Sequence, residues 1–345
     1  MKKYHPLSEL LLARVREFVR EPEALFWVYG FPLLLAVGLG IAFRNQPAEK
    51  IYVDVEQSGT AATIAQVLRR SPGMVVEIHA ADECRNRLRL GKSSLVVRSD
   101  GATTFLFDPT RSESVLARQR VDDLLQRAAG RHDPIATRDE HLTEPGARYI
   151  DFLVPGLLGM NLMGSGMWGV GFVIVDMRVR KLLKRFVATP MKRADFLWSM
   201  MGSRLVFMIP ELVVVLGAGA LFFGIMIKGN LFAILALGFL GAVSFSGLGL
   251  LVASRAQRIE TVSGLMNLVQ LPMWLLSGIF FSADRFPAAL QPFIQSLPLT
   301  QLNNALRAVI LEGASLQSQA LGLAILAAWG CVSFACALRW FRWSS

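Results

Sequence analysis

Charge is scarce in this chain. Asp, Glu, Lys and Arg make up 18% of its 345 residues, against 53% hydrophobic. A soluble domain of this length rarely carries so little, and long apolar runs are the usual cause. Cysteine is scarcer still: Cys84 lies in a polar insertion, Cys331 and Cys336 in the last apolar run. No disulfide can therefore close within the insertion. The four histidines, His5, His79, His132 and His141, all fall outside the apolar runs. No Cys or His spacing suggests a metal site. "MGSGM" (163–167) hints at a membrane serine hydrolase, but Ser165 has no histidine to act as its base, so it reads as a small packing residue. "LRLGKSS" (88–94) carries the Gly-Lys-Ser of a phosphate-binding loop, but Asn86 stands where the first glycine is required. The chain is expected to do no chemistry itself and to bind no cofactor.

What is abundant is apolar sequence. "ALFWVYGFPLLLAVGLGIAF" (24–43) holds no charge, and at about 1.5 Å per residue it reaches the roughly 30 Å of a bilayer core. Similar runs occupy 152–175, 205–227, 231–253, 262–281 and 319–338. They predict an α-helical polytopic membrane protein with six transmembrane helices, and a small α/β domain inserted after the first. The first run follows a charged lead and no small-x-small cleavage pattern follows it, so it reads as an anchor rather than a signal peptide.

The net charge of +10 does not point to nucleic acid, because the basic residues gather at membrane borders. Lys2, Lys3, Arg14, Arg16 and Arg20 lie in the lead, and Arg178 to Arg204 after the second run. Arg255 and Arg258 follow the fourth run, and Arg339 and Arg342 the last. The opposite side offers only Lys228, Arg285 and Arg307 in its short loops. Positive residues stay inside, so both termini are expected in the cytoplasm and the insertion outside. The domain plan that follows is a cytoplasmic amphipathic interfacial helix over 1–23 and a span over 24–43. An extracytoplasmic α/β domain and linker fill 44–148, and the remaining helices 149–345.

Within the insertion, "KIYVDVE", "MVVEIHA", "SSLVVRS" and "TTFLFDP" alternate like strands, with helical segments between them in the order β-α-β-α-β-β-α. The last helix sets Ala117, Val121, Leu124, Leu125 and Ala128 on one face, with Ser112 as its cap and Gly130 as its stop. In the lead, Leu7, Leu11, Val15 and Phe18 form a stripe suited to the interface plane.

Small residues at four-residue spacing (Ser165 and Gly169; Gly238, Ala242 and Ser246) allow close helix approach in lipid. Polar residues inside the runs are few: Asn161, Glu211, Asn267 and Gln270. These four are candidates for a translocation path or dimer seam. An ionisable group in a span is costly, which singles out Glu211, although Arg204 two turns earlier on the same face is a ready structural partner.

The connection "VRKLLKRFVATPMKRADFLW" (179–198) is the densest basic stretch. Leu182, Leu183, Phe186 and Val187 give it an apolar stripe, and Pro190 stops the helix before a second one restarts. Positive-inside bias explains the charge but not the helix, break, helix layout. Here the sequence resembles the ABC-2 type permeases, membrane subunits of bacterial ABC exporters. "REFVREPEALFWVYGFPLLL" is similar to the segment leading into that family's first span, and "LLKRFVATPMKRADFLWSMM" to its Leu-x-Thr-Pro segment between spans 2 and 3. "LSGIFFSADRFPAALQPFIQSLPLTQLNNALRAVILEG" (276–313) resembles it most specifically, with Pro287, Pro298, Arg307 and Gly313 at the family's spacing.

The resemblance implies a coupling helix at about 177–198 that seats in a cytoplasmic ATP-binding subunit, through Arg180, Lys181, Lys184, Arg185, Phe186, Thr189 and Pro190. It also implies an outer re-entrant segment at about 282–313. One departure is that "DMRVRKLLKRF" lacks the Glu and Gly-Thr pair that many members place before the Leu-x-Thr-Pro segment. The expected assembly is two permease chains, alike or sister, with two ATP-binding subunits that hold ATP and Mg, in a bacterial inner membrane. Membrane lipids are the other partner, and nucleic acid is not one. The expected cargo is amphipathic or lipid-like. An ion-driven secondary transporter, or a sensor or scaffold with a ligand-binding outer domain, is the alternative.

Overall fold

The computed structural model describes residues 6–44, 50–100, 102–132, 148–187 and 193–340. The chain divides into two compact units, one of them Asn45–His141 and the other formed by the segments on either side. It opens with α1 (Pro6–Val19). Extended backbone at Glu21 (φ −103°, ψ 93°) ends that helix, and Pro22 starts α2. Proline suits a first helical turn, where its missing N–H has no partner to lose. In α2, Pro22–Leu25, a π-helical turn Phe26–Gly30 and Phe31–Arg44 follow without a break.

The inserted unit runs β1 (Ile51–Glu56), α3 (Ala61–Arg69), β2 (Met74–His79), α4 (Ala81–Arg89), β3 (Leu95–Asp100), β4 (Ala102–Leu106) and α5 (Ser112–Ala128). Sheet order is β2-β1-β3-β4, with β1 parallel to both β2 and β3, and β4 antiparallel to β3. Parallel neighbours cannot be joined by a tight turn, and α3 and α4 make the crossovers. Val53, Val55, Leu95 and Val97 of the sheet are buried with Ala65 and Leu68 of α3 and Ala117 and Val121 of α5. Ser112 does not cap α5: it is the first helical residue, Arg111 takes the cap position, and no side chain bonds there. Gly130 follows α5 with φ +96°, a conformation that favours glycine.

Cys84 of α4 is buried beneath this sheet, and its thiol faces the His79 carbonyl at 3.6 Å. Burial, with the nearby Asp54 and Glu56 carboxylates, pushes the thiol up to about 11. Alkylation proceeds through the thiolate. Cys84 is therefore expected to resist iodoacetamide at pH 8 in the folded protein and to react once the unit is denatured. Mass spectrometry of the 81–92 region reads this directly, and equal labelling in both states contradicts it.

The second unit continues with α6, made of Tyr149–Met167, a π-helical turn Trp168–Phe172 and Val173–Val179. Then come α7 (Leu182–Val187), α8 (Arg193–Phe223), α9 (Leu231–Ala253) and α10 (Ile259–Leu276). Two 3-10 turns lead to α11 (Gln291–Ser296) and α12, which runs from Pro298–Arg307 into a π-helical turn Ala308–Glu312. The last helix is α13 (Ala320–Trp340).

Five stretches among the described residues are long and apolar enough to cross a bilayer: Pro22–Ala42, Tyr149–Val179, Ser199–Phe223, Leu231–Ala253 and Leu316–Trp340. The expected run 262–281 is helical only to Leu276, and that helix carries Glu260, Asn267, Gln270 and Pro272, which dilute its apolar character. The spans differ in surroundings: α6 and α9 are mostly buried, whereas α2 and α13 are mostly not. The bundle is thus built around α6 and α9. Leu153, Leu157, Leu162, Met163, Phe245 and Ile234 fill its core. α1 lies against α8, with Phe18 stacked on Phe207 at 4.1 Å between ring centroids and Arg14 Nε donating to Met200 Sδ at 3.3 Å.

Candidate functional site

The basic connection starts where α6 stops. The Arg180 and Lys181 amides donate to the Asp176 and Arg178 carbonyls, and Lys181 then turns the chain with φ +59°. A left-handed residue other than glycine costs about 1–2 kcal/mol, and the reversal it makes sends α7 off in a new direction. Arg180 is 68% exposed and pairs with Asp176 at 2.9 Å. In α7, Leu183 is buried while Arg185 is exposed, so the segment holds to the bundle by one face and offers charge on another. Lys184 and Phe186 belong to the same short helix. Thr189 and Pro190 lie outside the described residues. The described break is therefore at Arg180–Lys181, ahead of the proline that the sequence singled out.

The intramembrane polar residues do not form one group. Glu211 and Arg204, both on α8 and both buried, meet at 2.6 Å. Ser165 of α6 completes the cluster. Its hydroxyl accepts from Arg204 Nη2 at 2.5 Å and lies 3.0 Å from Glu211 Oε1 and 2.5 Å from the Asn161 carbonyl. With one proton to give, Ser165 donates to one of those two acceptors at a time. Sequence spacing marked Ser165 as a packing residue, but its contacts are those of a polar bridge between α6 and α8. Asn161 Nδ2 donates to the Val28 carbonyl at 2.8 Å, tying α6 to α2. Gln270 is buried and accepts from Trp168 Nε1 at 2.9 Å. Asn267 alone of the four candidates is exposed, on an α10 face shared with Leu268, Leu271 and Leu275.

The candidates of the 282–313 segment stand at the starts and ends of its elements, and Arg307 ties the segment to α6 and to the end of α10. Pro287 precedes a 3-10 turn and Pro298 starts α12. One turn apart on α12, Asn303 Nδ2 donates to the Ser277 carbonyl at 3.0 Å and Arg307 Nη2 to the Gly278 carbonyl. These two carbonyls follow α10, where helix geometry leaves acceptors unsatisfied. Arg307 Nε also reaches the Phe152 carbonyl at 3.2 Å, and its guanidinium carbon sits 3.7 Å from the Phe152 ring centroid. Gly156 and Gly159 of α6 make the room: a Cβ on Gly156 would come within 2.8 Å of Arg307 Nη2, and one on Gly159 would collide with Asn303 Oδ1. The Lys228 amide bonds to the Ile310 carbonyl at 2.9 Å, drawing it into the π-helical turn that ends at Gly313, φ +72°.

A family model described as "ABC-2 family transporter protein" matches residues 22–339. The chain belongs to the ABC-2 transporter family. It is similar to "ABC transporter G family member 20" of Dictyostelium discoideum, with 27% identity over 186 residues. That match covers 53% of this chain and a quarter (25%) of the relative's length. Membership makes the chain a multi-pass membrane component of an ABC transporter.

A further cluster of this ABC-2 chain belongs to the inserted unit. Asp54, Glu77 and His79 of the inserted unit bring ligand-type atoms within 4.8 Å of one another. Arg87 occupies that space, donating to Asp54 Oδ2 at 3.0 Å and Glu77 Oε2 at 2.5 Å. The hydrogen bond that Arg87 donates to Asp54 raises the Arg87 pKa, and His79 with Arg87 lowers that of Glu77. This is an ion-pair network in which the guanidinium already supplies the positive charge. Sequence spacing did not reveal it, because its members come from two strands and a helix.

Proposed function

We propose that the chain is the permease of an ATP-driven exporter for an amphipathic or lipid-like cargo. In this reading α10 is a sixth crossing, both termini face the cytoplasm of a bacterial cell, and the inserted α/β unit stands outside. Two permease chains, alike or sister, pair through the exposed α10 face that carries Asn267. Two ATP-binding subunits, holding ATP and Mg, seat the basic segment around α7. ATP binding closes those subunits, and the segment carries the movement to a bundle with two arrangements. The single observation behind the proposal is the family match from 22 to 339, a range that takes in the basic connection and the 282–313 segment.

Gentle purification from native membranes tests it. A soluble P-loop ATPase is expected at one copy per permease. Reversing charge with Lys184→Glu and Arg185→Glu is expected to strip that ATPase away or to uncouple its hydrolysis from export, while the permease keeps its melting temperature. Wild-type recovery of the ATPase together with wild-type export would remove the segment from the proposed role.

A further inference from the structure

We propose that Arg178 is the joint that passes movement of the basic segment on to α9 and α10, an inference that rests on the permease reading above. Arg178 stands one residue before the end of α6 and three before the Lys181 turn. Unlike Arg180, Lys181 and Arg185, which are exposed, it is only 5% exposed. Its Nη1 donates to the Ala253 carbonyl at 2.9 Å and to the Ala256 carbonyl, and its Nη2 to the Ser254 carbonyl at 3.4 Å. Ala253 is the last residue of α9 and Ser254 its cap. A helix C-terminus leaves its last carbonyls without amide partners and carries partial negative charge, so a cation with several donors fits it well. The planar guanidinium spreads its donors over a rigid fork that reaches all three carbonyls, whereas an ammonium's three donors share one atom and have no such fixed spread.

Placement turns a cap into a joint. Ala256 lies in the short connection to α10, whose N-cap is Arg258, so the grip spans the end of one helix and the approach to the next. About two turns earlier, Gly171 of α6 meets the backbone of Gly249 of α9: a Cβ on Gly171 would stand 2.5 Å from the Gly249 carbonyl oxygen. Backbone contact at one point and a buried guanidinium clamp at another fix the end of α6 to the end of α9. A push on α7 cannot then be absorbed at the Lys181 turn alone. Coupling of this kind needs an element with two arrangements that both ends bias, and the α9–α10 connection is the element Arg178 holds.

The experiment uses the full permease copurified with its ATP-hydrolysing partner, reconstituted in lipid nanodiscs. Hydrogen exchange at 251–258 and 179–187 is compared with and without ATP and vanadate. Wild type is expected to change at both segments on trapping. Arg178→Gln is expected to assemble and hydrolyse ATP, to keep the change at 179–187, and to lose most of it at 251–258. Arg178→Lys, which keeps the charge but not the fork, should fall between them and serves if the glutamine variant does not fold. A full response at 251–258 in either variant, or none there in wild type, overturns the joint. Failure of any ATPase to copurify overturns the permease reading first, and the joint with it.

Discussion

Gly171→Ala is expected to lower the melting temperature of the purified protein by several degrees, while Gly169→Ala leaves it unchanged or raises it. The two glycines are neighbours on α6 and identical in composition terms. A Cβ on Gly171 would meet the methyl carbon of Met266, the Gly249 carbonyl oxygen at 2.5 Å and the Gly249 carbonyl carbon at 2.9 Å. The Met266 side chain can swing aside, but the α9 backbone cannot. Relief requires the two central helices to part, which loosens the facing approach where a Cβ on Gly249 would likewise stand 2.7 Å from the Met167 carbonyl oxygen. Overpacking against fixed neighbours costs typically about 1–3 kcal/mol. At Gly169 a Cβ meets nothing within 4 Å, so the substitution only improves helix propensity, by up to about 1 kcal/mol. Opposite signs from neighbouring positions are the signature of a specific crossing. Equal shifts in thermal unfolding for the two variants would mean that α6 and α9 do not approach here.

That crossing shows where sequence reading stops. Long apolar runs announced the membrane helices, because burial in lipid demands length and lack of charge and little else. The face that α6 turns inward was not legible. Four-residue spacing drew attention to Ser165 and Gly169, yet the close approaches are at Gly156, Gly159, Gly166 and Gly171. The π-helical turn Trp168–Phe172 adds a residue to the count and moves the inner face from the expected register, and nothing in the residue types there signals it.

Lys181 hid for a similar reason: a lysine in the left-handed region carries no mark, whereas Pro190 advertises a break. Arg178 was counted with the cytoplasmic charges because charge counting assigns every border arginine to water, and its burial depends on carbonyls offered from 75 to 78 residues away. The Arg204–Glu211 pair was readable, since seven residues bring two side chains back to one face of a helix and both charges are costly alone in lipid. Ser165's part in it was not, because that contact joins two helices.

The pair carries the largest expected effect of any single substitution. Glu211→Ala leaves the Arg204 guanidinium, 4% exposed, with no carboxylate and only the Ser165 hydroxyl from the former cluster. Removing one partner of a buried ion pair costs about 3–5 kcal/mol, because the surviving charge keeps its desolvation penalty and loses its compensation. Replacing both partners by apolar residues of similar volume, Arg204→Met with Glu211→Leu, removes the penalty too and is expected to recover most of the loss. The double-mutant cycle in thermal unfolding measures the coupling directly. It also separates two roles. If the pair only holds α8 together and anchors it to α6 through Ser165, the double variant regains export along with stability. If Glu211 carries an ion, as a secondary transporter would require, the double variant regains stability and stays inactive. The 2.6 Å contact to Arg204 favours the first outcome, since a carboxylate that must load and release an ion gains nothing from a permanent cation at that distance. A loss below about 1 kcal/mol for Glu211→Ala would contradict both, because it would mean that water reaches Arg204 and that the cluster is not buried.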